Sequence, residues 1–260
     1  LIWRPKKNFK GIFNAQRLRG RELPPVKPAD AFYIFALGDS NTLGGYDYPS
    51  WVEYLAEILK KNDPNVYVEN AGVWGYTSFQ GLLRLKKILP LKPDMILISF
   101  GCNDAHRVFI SDKNYISSKK LFSSTIMRLR LTQILWALHD AIIYKPNPAQ
   151  KLIPRVSPSE YTDNLISMIN LARANACRVV LITRPYIGDV PDGLWWKNFA
   201  PEYRDRTESI AKRYNTPLID MYSYCKNKTT MFKDESHFTP SGHQEMGTFV
   251  YEKIKDILPQ

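Results

Sequence analysis

The sequence predicts an α/β domain, a parallel sheet with helices on both faces. Three observations lead there. Five short apolar runs, each of strand length, recur along the 260 residues. Longer stretches with helical periodicity and helix-start signals separate them. No linker divides the pattern into two, and strands alternating with helices in this way form a parallel sheet covered on both sides. The domain is expected over residues 31–260, behind a basic arm at 1–30 and interrupted by an insertion at about 105–156.

The arm carries Arg4, Lys6, Lys7, Lys10, Arg17, Arg19 and Arg21 before the first acid, Glu22, and Pro24, Pro25 and Pro28 keep it extended. Two readings stand side by side. One is a polybasic approach to an anionic membrane surface. The other is an arm laid over the domain, with Trp3, Phe9 and Phe13 covering apolar surface.

Tyr33 to Leu37 is the first strand, closed by the turn formers Gly38, Asp39, Ser40 and Asn41. Pro49 opens a helix to about Lys61, with Trp51, Val52, Leu55, Ile58 and Leu59 on one face. Val66 to Glu69 is the second strand, and the loop Asn70 to Tyr76 follows. Thr77 and Gln80 form a capping box for a helix to about Leu89. Met95 to Phe100 is the third strand, ending in Gly101-Cys102-Asn103-Asp104.

The insertion breaks this rhythm. Its middle, Leu121 to Ile143, reads as one or two amphipathic helices, with Arg128 and Arg130 among the apolar residues. Ser157, Pro158 and Glu160 then supply an N-cap, an N1 proline and a capping-box acid for a helix to about Asn175. Arg178 to Thr183 is the fourth strand. A loop with Pro185, Gly188, Pro191, Gly193, Trp195 and Trp196 leads to a helix from about Pro201 to Tyr214. Pro217 to Met221 is a short fifth strand. Thr239 and Pro240 open the last helix, with Met246, Phe249, Val250, Ile254 and Ile257 facing inward.

Composition narrows the class of function. With 44% hydrophobic and 23% charged residues the chain is an ordinary globular one, and its longest apolar runs are far too short to span a membrane. The net charge of +11 favours anionic surroundings. No zinc-finger, helix-turn-helix or RNA-binding signature accompanies it, so nucleic acid is not the expected partner. The first residue is Leu1 rather than Met, which is expected if upstream residues are missing, either a signal peptide or anchor or, equally, a stretch simply trimmed away. Cys102, Cys177 and Cys225 are an odd, widely spaced set that fits no metal motif. No metal or organic cofactor is expected. The compartment stays open, with a periplasmic or membrane-associated location favoured over a cytoplasmic one.

Ser40 is the first candidate for chemistry, because ligands of open α/β sheets bind beyond the carboxyl ends of the strands. A serine nucleophile needs a base, a group that orients the base, and donors for an oxyanion. Of the four histidines, His237 alone lies in a late loop with a carboxylate three residues before it, Asp234. That spacing lets Asp234 fold back onto the imidazole. The N–H groups of Ser40 and Gly75 and the side-chain amide of Asn103 are available as donors, and a glycine at 75 lets the backbone approach closely.

Four blocks in order, Gly38-Asp39-Ser40, Asn70-Ala71-Gly72 with Gly75 and Thr77, Gly101-Cys102-Asn103-Asp104, and Asp234-Glu235-Ser236-His237 followed by Pro240 and Gly242-His243, resemble those of the SGNH, or GDSL, hydrolase superfamily. The resemblance spans residues 38–243. It implies a three-layer α/β/α sandwich with a five-stranded parallel sheet, flavodoxin-like in layout, and hydrolysis of esters or thioesters. It also implies Ser40 as nucleophile, His237 as base and Asp234 as its partner, with Ser40, Gly75 and Asn103 forming the oxyanion hole. The Gly-x-Ser-x-Gly elbow of the α/β-hydrolases is missing. Cys102 departs from the pattern where many members carry a small residue.

Other residues have plainer readings. Asp39 and Asp104 read as turn-stabilising carboxylates, and His243 as a packing residue in the first turn of the last helix. Trp74, His106, Arg155 and Arg184 are candidate substrate contacts, as are Trp195 and Trp196, since Trp stacks and Arg binds anions. The expected activity is that of a serine ester hydrolase on short acyl esters, such as acetyl esters of a carbohydrate. An acyltransferase that passes the acyl group to a sugar, a lipid or lysophospholipid esterase, and a non-catalytic binding module of the same fold are the alternatives.

Overall fold

The strand that leads into Ser40 lies inside the sheet. β1 (Phe32–Gly38) pairs in parallel with β2 (Val66–Asn70) on one side and with β3 (Met95–Ser99) on the other. β6 (Arg178–Ile182) pairs with β3, and β7 (Leu218–Ile219) with β6, so the sheet runs β2-β1-β3-β6-β7, all parallel. After β2 the chain crosses β1 to form β3. That reversal leaves a crevice between the carboxyl ends of β1 and β3, where open α/β sheets bind ligands. The computed structural model describes residues 5, 7, 12–120, 151–187 and 200–258. Trp3, Arg4, Lys6, Phe9 and Lys10 of the arm, the segment Leu121 to Ile143, and Gly188, Pro191, Gly193, Trp195 and Trp196 lie outside the described residues.

Alternate residues of the central strands feed two cores. Tyr33, Phe35, Leu37, Ile96 and Ile98 face one layer of helices: α3 (Ser78–Ile88), α6 (Pro158–Arg173) and α7 (Ala200–Arg213). Ile34, Ala36, Met95 and Leu97 face the other, where α2 (Trp51–Asn62) packs with α9 (Pro240–Ile254). Burying both faces explains why these strands read as unbroken apolar runs. This is the three-layer sandwich the sequence predicts.

The short α1 (Ser40–Leu43) follows β1 directly, and α4 (Cys102–Ala105) follows β3. The insertion contributes β4 (Arg107–Val108), α5 (Asp112–Lys120) and β5 (Ile153–Pro154). β4 and β5 pair antiparallel, Arg107 opposite Pro154, so the segment leaves and returns beside the end of β3.

Some boundaries differ from the expected ones. α2 starts at Trp51, not Pro49, because Ser50 is its N-cap and the Glu53 carboxylate accepts the Ser50 N–H at 2.6 Å. The fifth strand is only Leu218–Ile219, because Asp220 caps α8 (Met221–Cys225) by accepting the N–H of Ser223. In α9, Met246, Val250 and Ile254 are buried and Phe249 is only partly so, while Ile257, also partly buried, lies beyond the helix in a 3-10 turn, Lys255–Ile257.

The described part of the arm is packed on the domain. Phe13, Leu18 and Leu23 are buried. Arg19 exchanges backbone hydrogen bonds with Asn70 at 2.9 and 3.1 Å, at the end of the edge strand β2. Its guanidinium, 7% exposed, pairs with Glu53 at 2.7 Å and donates to the carbonyls of Leu43, Gly45 and Tyr48. Arg21 lies over the Tyr67 ring, 3.8 Å from its centroid.

Candidate active site

β1 ends at a glycine because nothing larger fits. A Cβ at Gly38 would lie 2.8 Å from the carbonyl oxygen of Ser99 and would also collide with the Thr42 hydroxyl. The chain then turns sharply into α1, and the Asp39 carboxylate accepts the N–H of Asn41 at 2.9 Å. Ser40 is thereby presented at the carboxyl end of the sheet, with its Oγ 2.8 Å from His237 Nε2. On the far side of the ring, Nδ1 is 2.9 Å from each Asp234 oxygen.

Asp234 also accepts the N–H groups of Ser236 at 3.0 Å and His237 at 2.8 Å, which folds the loop into the turn that its spacing predicts. Partial burial pushes the Asp234 pKa up, but these N–H donors and the adjacent imidazole outweigh burial and hold it below the usual carboxylate range. An ionised Asp234 keeps the imidazole proton on Nδ1 and leaves the Nε2 lone pair facing Ser40.

The loop after β2 comes alongside. Asn70 Nδ2 donates to the carbonyl of Thr42 and to the Ser50 hydroxyl, at 2.8 and 2.9 Å, so the second block braces the first. Gly75 has φ +71°, a conformation that favours glycine. Asn103, in α4, points its amide back toward β1, with Nδ2 3.2 Å from the carbonyl of Tyr76 and 3.4 Å from Asp39 Oδ2. Asp104 is fully buried and accepts the Ser78 N–H at 2.8 Å and the Gly101 N–H at 3.2 Å. Burial raises its pKa to about 7 against the opposing Ser78 bonds. Asp39 and Asp104 therefore do stabilise turns, but each also ties its turn to a distant element. Desolvation pushes the neighbouring Cys102 thiol up to about 11, which keeps it protonated and a poor nucleophile.

Two expected substrate contacts are placed elsewhere. Arg184 is buried, with Nε 3.0 and 2.9 Å from the two Asp39 oxygens and Nη1 2.9 Å from the carbonyl of Ser236. Arg155 forks onto Asp112, with two contacts of 3.0 Å, and also donates to the Gly75 carbonyl at 2.8 Å and to Gln80 at 3.1 Å. Both guanidiniums are spent on holding the loops that carry site residues, a use that sequence spacing does not reveal. His106 is exposed and flanks β4. Partial burial and then the Arg155 charge lower its pKa.

Trp74 does border the site. It is 40% exposed, stacks on Tyr46 with centroids 4.4 Å apart, and donates its indole N–H to the Gly44 carbonyl at 3.2 Å. A cavity of about 340 Å³ opens beside Ser40, walled by Trp74, Tyr48, Lys233, Asp234, His237 and Phe238, with Gly44, Gly45, Asn41 and His243 also in its lining. Gly75 and Asn103 are not among its walls. His243 is buried as expected, and its Nδ1 accepts the N–H of Trp51 at 3.1 Å. Burial, and then the cations Arg19 and Lys233, bring its pKa down to about 3. Lys233 and Tyr48 were not singled out by the sequence. Lys233 had a signal in its place next to Asp234, and Tyr48 had none. Among the described residues no group of three or more His, Cys, Asp or Glu is arranged to hold a metal ion.

The model of the GDSL-like lipase/acylhydrolase family matches residues 36–245. An uncharacterised lipoprotein of Bacillus subtilis is 25% identical over 258 residues, covering 86% of this chain and 88% of its own. An arylesterase of Vibrio mimicus is 38% identical over 80 residues, 29% of this chain and 40% of the relative. Among solved structures, a lipase/acylhydrolase of Enterococcus faecalis superposes with a TM-score of 0.61 at 24% identity, covering 88% of this chain and 97% of that one. A variant of an acetylxylan esterase of Geobacillus stearothermophilus gives 0.59 at 17% identity, covering 88% and 96%. At these identities the two structures speak to the fold.

Proposed function

The chain belongs to the GDSL-like lipase/acylhydrolase family, a family of ester-cleaving enzymes, and from that premise we propose that it cleaves short acyl esters through an acyl-Ser40 intermediate. The observation that carries this reading is the line Asp234–His237–Ser40, with contacts of 2.9 and 2.8 Å and the lone pair of Nε2 turned toward Oγ. Ser40 Oγ adds to the ester carbonyl carbon as His237 Nε2 takes its proton. The bond to the alcohol oxygen then breaks, and that proton passes to the departing oxygen. Water adds to the acyl carbon with His237 again as base, and the returning proton restores the Ser40 hydroxyl as the acid leaves. The N–H groups of Ser40 and Gly75 and the Asn103 amide stabilise the oxyanion, the amide exchanging its long contact to Asp39 for the developing charge.

An acetyl ester of a carbohydrate is the substrate we favour. The cavity of about 340 Å³ has an exposed indole on one wall, suited to stacking on a sugar, and Tyr48, Lys233 and Asp234 among the polar groups that line it. One structural neighbour is an acetylxylan esterase and one partial relative an arylesterase, which agrees with an ester as the reacting group. An envelope location is favoured by the Bacillus subtilis lipoprotein relative. No helix among the described residues is long and apolar enough to cross a membrane. The test is a series of nitrophenyl esters of increasing acyl length beside acetylated sugars, with free acid and sugar product both measured. Highest kcat/KM at acetyl, with acetate released into water, is the expected result. A preference rising with acyl length would overturn the substrate assignment.

A further inference from the structure

Lys233 brings a positive charge to the mouth of the Ser40 cavity. Its ammonium donates to the Tyr48 hydroxyl at 3.2 Å, and both residues are walls of the cavity. Tyr48 is itself fixed, its ring 5.7 Å from the His243 ring and its hydroxyl 3.5 Å from the Phe238 carbonyl. Among the described residues no carboxylate is paired with Lys233. The adjacent acid, Asp234, spends both oxygens on His237 Nδ1. The ammonium therefore keeps donors free and its charge unanswered. Arg19, Lys233 and Arg184 all help, after burial itself, to depress the pKa of the buried His243, which also lines the cavity, and among the described residues the one carboxylate in that lining is Asp234.

The position of the cavity says which part of an ester would fill it. In acyl transfer from an ester, the oxyanion faces its donors and the leaving oxygen faces the general acid. The cavity is walled by His237, Asp234 and Phe238, whereas Gly75 and Asn103 are not part of it. It therefore lies on the leaving-oxygen side of Ser40.

We propose that Lys233, held by Tyr48 and sharing the cavity wall with Trp74, is a specificity-determining residue that binds an anionic group, a carboxylate or a phosphate, on the alcohol portion of the ester. The inference rests on the reading of Ser40 as nucleophile and adds the charge of the substrate to it. A lysine suits such a group because a point charge pairs with carboxylate and phosphate alike.

Two matched pairs of acetyl esters test it. One pair is acetylated methyl glucuronoside against acetylated methyl glucoside, and the other is acetylated glycerol phosphate against acetylated glycerol. The wild type is expected to favour the anionic member of at least one pair by about tenfold in kcat/KM, less at high ionic strength. Lys233→Gln should bring that ratio close to one and Lys233→Glu should reverse it. The pair that responds tells an acidic sugar from a phosphorylated alcohol. A wild-type ratio near one in both pairs, or a ratio that survives Lys233→Gln, overturns the proposal. Calorimetry of the Ser40→Ala protein with the methyl glucuronoside, the methyl glucoside, glycerol phosphate and glycerol separates this from the catalytic reading. Charge-selective binding lost on adding Lys233→Gln, without ester turnover in the wild type, would sink the hydrolase reading and leave only the anion site at Lys233. Equal binding of charged and neutral alcohols would sink the inference alone.

Discussion

Arg184 and Asp39 form an ion pair sealed behind the nucleophile turn, with side chains 6% and 1% exposed. Asp39 precedes Ser40, and the same guanidinium donates to the carbonyl of Ser236, which precedes His237. Asn41 Nδ2 reaches that carbonyl as well, at 2.8 Å. One buried cation thus fixes the spacing between the two loops that bring Oγ to within 2.8 Å of Nε2. Burial alone would lower the Arg184 pKa, and the Asp39 carboxylate reverses this and leaves it raised.

Arg184→Met should strand the Asp39 charge and cost about 3–5 kcal/mol of stability. Adding Asp39→Asn removes the stranded charge, so the double variant should recover much of its Tm. It should not recover kcat, because the Ser236 carbonyl still lacks its cation. Denaturant melts and steady-state kinetics on both variants check this. Normal kcat in the double variant would show that the pair serves stability alone.

The line through Ser40, His237 and Asp234 makes a chemical prediction. A fluorophosphonate should label one serine, and peptide mapping should find the label on Ser40. Ser40→Ala should lose label and turnover and keep its melting transition. Asp234→Asn should preserve the contacts but favour the wrong imidazole tautomer, lowering kcat by about 10³ to 10⁴-fold. Labelling of another serine would overturn the assignment.

Asn103 is predicted to act on the transition state. Asn103→Ala removes one amide donor and should lower kcat about 10² to 10³-fold with KM little changed. A loss confined to KM would mean that the amide holds substrate and not the oxyanion.

Glu69, on β2, is 1% exposed, and both its oxygens lack a hydrogen-bond partner among the described residues. Burial, helped by the charges of Glu22 and Glu53 and opposed by Arg21, raises its pKa to about 8 from an ordinary 4.5. Between those values the folded protein holds a proton that the unfolded chain has released. Stability contributed by the neutral acid is therefore complete below pH of about 4.5 and is lost as pH rises through about 8. Glu69→Gln should remove this decline, so its Tm should gain on the wild type between pH 5 and pH 8. Parallel Tm profiles for the two proteins would refute the assignment.

Much of this was legible in the chain for physical reasons that act locally. Strands buried on both faces are apolar throughout, so Met95 to Ser99 announces itself. Thr77 with Gln80 and Ser157 with Glu160 are capping pairs that act within one turn, and both helices start where those pairs put them. The proposed triad residues could be named because Asp234 and His237 sit in one short turn and Ser40 stands in the turn just after a strand. What stayed hidden depends on contacts across the fold. Arg155 and Arg184 look like anion binders until their carboxylates, 43 and 145 residues away, are seen. Lys233 and Tyr48 meet across 185 residues, and nothing in either neighbourhood announces the pairing.

The arm supplies the last prediction. Arg19 sends its guanidinium under the loop between α1 and α2, to the carbonyls of Leu43, Gly45 and Tyr48 and to Glu53. That loop carries Tyr48, the residue that holds Lys233, and Gly44, which accepts the Trp74 indole N–H. Charged donors to buried carbonyls are each worth about 1.5–3 kcal/mol, and these share one side chain, so Arg19→Met should cost about 3 kcal/mol. The loss should be felt first in the cavity wall. KM should rise while kcat changes little, because Ser40, His237 and Asp234 are anchored separately by Arg184 and Asn41. Hydrogen exchange should quicken in the 43–48 loop before it does in β1. Faster exchange spread evenly over β1 and β2 would mean that Arg19 supports the sheet edge as a whole and not the wall of the cavity.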